Sequence, residues 1–543
     1  MTPLVVQAQL LPHDTYSPDP DQLQYLNRSQ ALLQSATPSN RVAFRIMFYG
    51  NSHFLRPWWS DMVQYIQATY PHVVVIATNA SINGFFAVDM SRTVIADVGQ
   101  WQPDLLLIRA IGPTEDQEAL YKNIRAVTTA DVIVQAEHPI TPPELTESAD
   151  DSRLLVEFAR NYLWYPPIAN QYNICWADIR TPWKEYLNRY SLPFNSLLIG
   201  DNSHFNWEGN AFAAELMSAF VRPRPLPTGL DPWNNSWIAT VNLHPVTNWS
   251  GDDLEMDASC SRLDVVYDPD VPGEVPALTV EIDGQLPSKT QDFWGFTRAG
   301  PSFEIPWPGL RRVTSEVLLT WEEWTLRVMS FNPSDFSLSY SISGTVTGPD
   351  GAGQSGLPFL SNSRRVSVEA ADMIIGDAAK WRGLNPPAGF EIKWHSALFA
   401  NDTLSESTPV FPGGDNNQRM FYSEKDIQRR VRLKRIVGAK NRIRAIRAYS
   451  PSGNAQITIR TSSPNVIPVE PPKLFATLVA GAVHLSWPPE YPKGAILVAT
   501  DISQDGQPIH WQKLAEVPVL KSNRWQVVHN PSENRTFYRW SAE

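Results

Sequence analysis

The sequence predicts a multidomain chain: an α/β three-layer sandwich around a parallel five-stranded sheet, followed by all-β sandwich domains. Three observations carry this. Over residues 42–221, short apolar runs alternate with amphipathic helical stretches, the pattern of βα units that bury a parallel sheet between helix layers. After the proline-rich segment RPRPLPTGLDPW the pattern changes to short alternating strands separated by Gly, Pro, Asn and Asp, the signature of antiparallel sandwiches. A length of 543 residues suits roughly three or four domains, and 43% hydrophobic content fills ordinary cores.

Residues 1–41 are polar and proline-punctuated and read as a leader or arm with one short helix, DQLQYLNRSQALLQ. The α/β domain is expected over 42–222. Its strands are VAFRIMF, HVVVIAT, DLLLIRA, DVIVQAEH and YNICWADI, short runs rich in β-branched or large apolar residues. Its helices are expected over 55–69, 115–126, 150–162 and 208–221. In the first, Leu55, Trp59, Met62, Val63 and Ile66 recur at helical spacing. Residues 223–233 read as a linker. Two β-sandwiches are expected over 234–350 and 351–463, without a convincing internal repeat. Within them the basic stretch 428–450, QRRVRLKRIVGAKNRIRAIRAYS, reads as two strands joined at Gly438, Ala439, Lys440 and Asn441. Arg442, Arg444 and Arg447 do not share one face of a strict alternation, which favours a solvated hairpin whose arginine stems cover apolar surface. The sharper reading is a patch for an acidic glycan or partner domain. Residues 464–543 resemble a fibronectin type III-like module, with Trp487 as its core tryptophan and Tyr538 as its late-strand tyrosine.

Net charge is −11, from 56 acids against 45 bases, so nothing global points to nucleic acid as a partner. No apolar run reaches the roughly 18 residues of a transmembrane helix. The start, MTPLVVQAQLLPHD, lacks the basic region and full apolar core of a clear signal peptide. Cys175 and Cys260 fall in different expected domains, which argues against a disulfide framework. Proline (46 residues) and tryptophan (20) suit loop-rich β domains; most tryptophans are expected in cores, the remainder as platforms facing sugars. There is no Cys/His cluster of zinc spacing, no phosphate loop and no dinucleotide glycine fingerprint, so no metal or organic cofactor is implied.

The chemistry concentrates in YGNSHF, residues 49–54, between an apolar strand and a helix. A serine there sits at the carboxyl edge of a parallel sheet, where open α/β folds bind ligands. The helix beyond offers free amide hydrogens to a developing oxyanion. Ser52 is therefore a candidate nucleophile, against the commoner role of a turn or capping serine. A second stretch, IGDNSHFNWEGNAFAAELMSAFV, sets Asp201 and His204 three apart before another amphipathic helix. A serine hydroxyl needs an imidazole to take its proton, and the imidazole needs an acceptor to fix its tautomer. His53 adjoins the serine, but neighbouring side chains diverge, so it is not expected to be the base. His138, in AEHPI, reads as a packing or capping histidine at the same sheet edge.

In these residues the chain resembles an SGNH (GDSL-type) hydrolase, and in places the periplasmic thioesterase/lysophospholipase of that superfamily. Four blocks follow the family's order: Gly50-Asn51-Ser52; VVVIATNASINGFF with Asn79 and Gly84; QPDLLLIRAIGPTED leading to Gly112; and Asp201, His204 and Asn206. The resemblance implies Ser52, His204 and Asp201 as the catalytic residues and the Ser52 and Gly84 amides as an oxyanion hole. Asn51 stands where the family usually has Asp, a position outside the triad. The third block departs further: Gly112-Pro113-Thr114-Glu115 replaces Gly-x-Asn-Asp, removing the Asn donor. Losing one such donor typically costs about 100- to 1,000-fold in turnover. Either another donor substitutes, Arg109 or Thr114 being nearest in sequence, or the enzyme is slow or inactive.

The leading expectation is a serine esterase that removes O-acetyl groups from a polysaccharide, with Trp58, Trp59 and Asn206 as substrate-binding candidates. A lipid or thioester acyl hydrolase is the enzymatic alternative. The alternative of another class is a non-catalytic glycan-binding or structural protein of a cell surface or virion. An extracellular, cell-surface or virion-associated location is expected in each case. The Asn-x-Ser/Thr sequons at Asn248 and Asn401 add nothing without a known compartment.

Overall fold

The computed structural model describes residues 16–140, 157–243, 253–267, 278–301, 309–382, 385–404, 416–434 and 443–460, and within 461–543 residues 475–479, 482–487, 495–499, 512–515, 519–521, 524–529 and 537–541. The chain forms two compact units, Met1–Arg460 and Thr461–Glu543.

The first unit opens with a short helical turn, Pro20–Leu23, and helix α1 (Asn27–Ser35). Strands β1 (Val42–Gly50), β2 (Val73–Asn79), β3 (Leu105–Arg109), β4 (Asp131–Gln135) and β5 (Cys175–Ala177) form one sheet in the order β2-β1-β3-β4-β5. Every pairing in it is parallel. All residues of β3 and β4 are buried, as expected of strands covered on both faces. Helices α2 (Trp58–Thr69), α3 (Ala87–Val94), α4 (Thr114–Val127), α5 (Tyr165–Gln171), α6 (Arg180–Arg189) and α7 (Trp207–Ser218) complete the layers. The order reverses at β1, which pairs with β2 on one side and β3 on the other. That reversal opens a crevice at the carboxyl ends of the strands. The chain leaving β1 there carries Ser52.

At the opposite sheet edge α1 closes the core. The Ser29 amide donates to Asp131 (2.6 Å), and Arg28 pairs with Asp104 (2.9 Å). The expected helix over 150–162 falls partly outside the described residues; what is described is a π-helical turn, Ala159–Trp164, running into α5.

The β portion is nested, which corrects the expected division near residue 350. That position lies in the hairpin of strands Ser337–Gly344 and Gly348–Gln354. A seven-stranded sheet combines Ile238–Asn242, Asp253–Tyr267 and Leu278–Ile282 with Thr403–Leu404, Asn416–Lys434, Ile443–Tyr449 and Gln456–Arg460. The segment between those two groups forms the other large sheet, around Glu323–Asn332 and Glu391–Leu398. Alternation reveals that strands exist; partners far along the chain are chosen by packing.

The basic stretch is likewise not a hairpin. Strands Asn416–Lys434 and Ile443–Tyr449 both pair with Asp253–Tyr267, which lies between them. The expected turn, Gly438 to Asn441, lies outside the described residues. Its cations meet carboxylates of neighbouring elements: Arg429 with Asp283, Arg430 with Glu255, and Arg432 and Lys434 with Asp253 and Glu281. Arg447 is buried over the Trp233 ring at 3.7 Å.

In the second unit the described strands form two antiparallel sheets, of four and three strands. Leu485, Ile496, Leu514 and Val527 are their buried core, with Tyr538 packed against it. The Trp487 side chain lies outside the described residues. Among the described residues, no helix is long and apolar enough to cross a membrane.

Candidate active site

The nucleophile loop is shaped by its glycine. Gly50 ends β1 opposite Arg109 of β3. A Cβ on Gly50 would lie 3.0 Å from the Phe54 ring and 3.1 Å from the Arg109 carbonyl oxygen, so a side chain there would push the loop outward. The chain then turns tightly: the amide of Phe54 donates to Asn51 O (3.0 Å) and that of Leu55 to Ser52 O (3.2 Å). Helix α2 therefore starts at Trp58, later than the expected residue 55. The second block holds this turn from the side. Asn79 Nδ2 donates to Phe54 O (2.6 Å), Ser81 Oγ accepts from the Gly50 amide (3.0 Å), and the Ile82 amide donates to Gly50 O (2.8 Å).

The base loop is a compact turn ahead of α7. Its ends pair through Ile199 N–H to His204 O (2.8 Å) and Asn206 N–H to Leu197 O (3.1 Å). Asn202 takes the left-handed conformation (φ 54°) that asparagine tolerates better than most residues. Asp201 organises the turn: its Oδ1 accepts the amides of Ser203 and His204, both at 2.9 Å. Its Oδ2 faces His204 Nδ1 at 2.6 Å.

The two loops meet at one bond: His204 Nε2 stands 2.7 Å from Ser52 Oγ. An acid, an imidazole and a hydroxyl are thus in line, each within hydrogen-bond reach of the next. Burial alone would raise the Asp201 carboxyl. The amide of His204, its ring and the amide of Ser203 outweigh that and hold it at about 2. It is therefore ionised at neutral pH and can orient the imidazole and stabilise its charged form.

The second- and third-block residues lie on neighbouring loops. Gly84 is left-handed (φ 74°), in the loop that leads to α3. Gly112 precedes α4, and its carbonyl and amide both meet Tyr165 Oη, at 2.5 and 3.3 Å. Thr114 is the first residue of α4 and is half-buried. Arg109 is not free to substitute for the missing Asn. It is buried, and its guanidinium donates to Gln135 Oε1 (3.1 Å) and His138 Nδ1 (3.3 Å). Burial lowers it to about 10, so it remains charged at neutral pH.

Two substrate-binding expectations are corrected. Trp58 is fully buried, packed edge-on against Phe48 and Phe54, and its Nε1 donates to His53 O (2.9 Å), so it caps the sheet instead of facing a ligand. Trp59 packs on the same core, 5.5 Å from Phe48, and is half-buried. Asn206 is the N-cap of α7: its Oδ1 accepts from the Gly209 amide (2.9 Å) and its Nδ2 donates to Ser196 O (2.7 Å). The exposed large apolar side chains of the α/β region are instead Leu55, Phe86, Val88, Leu163, Trp164, Ile199 and Trp207. Trp164 and Trp207 fall just outside the helices expected over 150–162 and 208–221, and no motif singles them out.

Sequence reasoning also passed over what lies behind His204. His53 stacks on it, with ring centroids 4.8 Å apart and planes at 23°. His138 is fully buried, 5.2 Å from His53. Arginine can only donate, so His138 Nδ1 accepts from Arg109 and its proton is on Nε2. Burial, then the Arg109 charge, push both histidines well below the usual imidazole range.

No protein-family model and no curated protein sequence matches this chain. Among solved structures it is similar to a two-domain esterase active on acetylated mannans, with 12% identity over 78% of this chain and 95% of that one, at a TM-score of 0.30. It is also similar to an acetylxylan esterase from Geobacillus stearothermophilus, with 17% identity over 34% of this chain and 97% of that one, at a TM-score of 0.28.

Proposed function

We propose that the chain is a serine esterase that works by acyl transfer through Ser52, His204 and Asp201. The observation that carries this reading is the 2.7 Å contact between His204 Nε2 and Ser52 Oγ, with Asp201 at 2.6 Å on the other ring nitrogen. His204 takes the Ser52 proton as Oγ attacks the ester carbonyl, and the Asp201 carboxylate stabilises the imidazolium that forms. The Ser52 and Gly84 amides hold the tetrahedral oxyanion. His204 then gives its proton to the departing alcohol. Water attacks the acyl-enzyme with His204 again as base, which releases the acid and restores Ser52.

The substrate we favour is an O-acetylated polysaccharide. Trp164 and Trp207, 43% and 54% exposed, offer flat faces to sugar rings. The exposed aliphatic side chains Leu55, Leu163 and Ile199 favour the second reading, a lipid or thioester acyl chain.

A fluorophosphonate probe tests the reading. It should label the wild-type chain at one site, and Ser52→Ala should abolish labelling; a folded wild-type protein that takes no label would exclude a working serine nucleophile. Acetate release from acetylated glycans, measured against hydrolysis of long-chain acyl thioesters, decides the substrate class.

A further inference from the structure

His53 joins the loop that carries Ser52 to the loop that carries His204. It directly follows Ser52 in the chain, and its side chain turns away from the nucleophile toward the base loop. His53 Nε2 lies 3.1 Å from Ser203 O, which can only accept, so a hydrogen on Nε2 donates to it. Ser203 is the residue before His204. The other ring nitrogen, Nδ1, lies 3.1 Å from the side-chain oxygen of Asn51, the residue before Ser52, which also accepts the His53 backbone amide (3.2 Å). The His53 carbonyl accepts from Trp58 Nε1, which anchors the loop to α2. The ring is buried, between His204 on one face and His138 and Phe205 beyond.

We infer that His53 is a positioning residue, a neutral crosslink that sets the nucleophile loop against the base loop and gives the His204 ring a flat wall on one side. Two catalytic groups so far apart in the chain need such a link, because the contact between them is a single hydrogen bond. A displacement of about 1 Å between reacting groups can cost about 100-fold in rate. The wall must also be uncharged. A proton on His53 would stand 4.8 Å from the imidazolium that His204 becomes during attack. Asn51 fits this arrangement: a carboxylate at that position, beside Nδ1, would draw a proton onto the ring.

The inference rests on the esterase reading for its catalytic part, so the test has two readouts. In the full chain, His53→Phe keeps the stacked face and removes the bond to Ser203 O, while His53→Gln retains a donor. Fluorophosphonate labelling of Ser52 should slow about 100-fold in His53→Phe, with much of the loss regained in His53→Gln. With a small acetyl ester the loss should fall on kcat, leaving KM unchanged, since His53 touches no substrate. Hydrogen exchange supplies the second readout: the Ser203 and His204 amides, bonded to Asp201, should exchange faster in His53→Phe. Wild-type labelling speed in a folded His53→Phe, or a His53→Gln no better than it, overturns the positioning role. If wild type itself takes no label the esterase reading fails, and exchange alone decides: protection unchanged in His53→Phe overturns the crosslink.

Discussion

Among the described residues, Ser52 and His204 are held to each other from within the α/β region, whereas the loop carrying Gly84 is held both from within it and from outside. On the nucleophile–base side the contacts come from within the α/β region: an aspartate in its own turn, a capping asparagine and a histidine stacked across from the other loop. On the proposed oxyanion side the loop from Ala80 to Asp89 is gripped by arginines of the β portion. Arg298 donates to Ala80 O (2.8 Å) and pairs with Asp97 (2.8 Å). Arg311 pairs with Asp89 (2.7 Å), whose other oxygen accepts the Phe86 amide (3.0 Å). The difference teaches that the β portion is part of the site's scaffold. It braces the loop that carries Gly84.

The largest expected effect probes the first half. Asp201→Asn removes the charge that stabilises the imidazolium and disturbs the tautomer. Labelling of Ser52 should fall about 10,000-fold, while unfolding in urea stays close to wild type because the aspartate is exposed. A loss of only a few-fold would mean that Asp201 is a turn-former with no part in the chemistry.

Arg298→Ala should give the opposite profile. It leaves the Asp97 carboxylate buried without its partner, at a cost of about 3 kcal/mol in urea unfolding. Burial already pushes that carboxyl up. Labelling should drop more modestly than stability suggests, since Ser52, His204 and Asp201 keep their contacts. If rate falls as steeply as in Asp201→Asn, the division into two separately held halves is wrong.

A pair of glycines sharpens the comparison within one loop. A Cβ at Gly209 would stand 2.0 Å from Leu197 O, inside the turn that presents His204. Gly209→Ala should shift that turn and slow labelling about 100-fold. Gly200, adjacent to Asp201, has no atom within 4 Å of where its Cβ would be. Gly200→Ala should label at the wild-type rate, and equal losses in the two variants would disprove the packing argument.

These contacts also explain which features the sequence could reveal. The five parallel strands were legible because each is a continuous apolar run, and Ser52, Asp201 and His204 because short motifs flank such runs. Helix α5 was not expected: Pro166 and Pro167 look like a loop, yet they occupy a first helical turn, where missing amide hydrogens cost nothing. Trp58 misled because a tryptophan beside a nucleophile looks the same in sequence whether it faces sheet or solvent. His53 was set aside on local geometry, since adjacent side chains diverge. Its partner loop is distant in the chain, and only the fold brings the two together.

The remaining effect is a pH dependence spread over about two pH units, and its sign separates the two halves once more. His53 and His138 are held well below their ordinary range by burial and then by Arg109, so both are neutral in the folded chain. Unfolded, each would titrate near about 6.5. Below that value the unfolded chain binds protons that the folded chain refuses. Stability is therefore complete above about pH 6.5 and declines as pH falls, by up to about 1.4 kcal/mol per pH unit for each histidine. Asp201 acts in a lower window. Its folded value of about 2 lies beneath the unfolded one, so its contribution is present above about pH 4 and is lost only as pH falls toward 2. Urea unfolding between about pH 7 and 5 should thus report the buried histidines and not the triad acid. In His53→Phe the slope over that interval should fall by about half, with His138 supplying the remainder. An unchanged slope would show that His53 takes up a proton in the folded chain, and a charged ring there could not serve as the neutral wall behind His204.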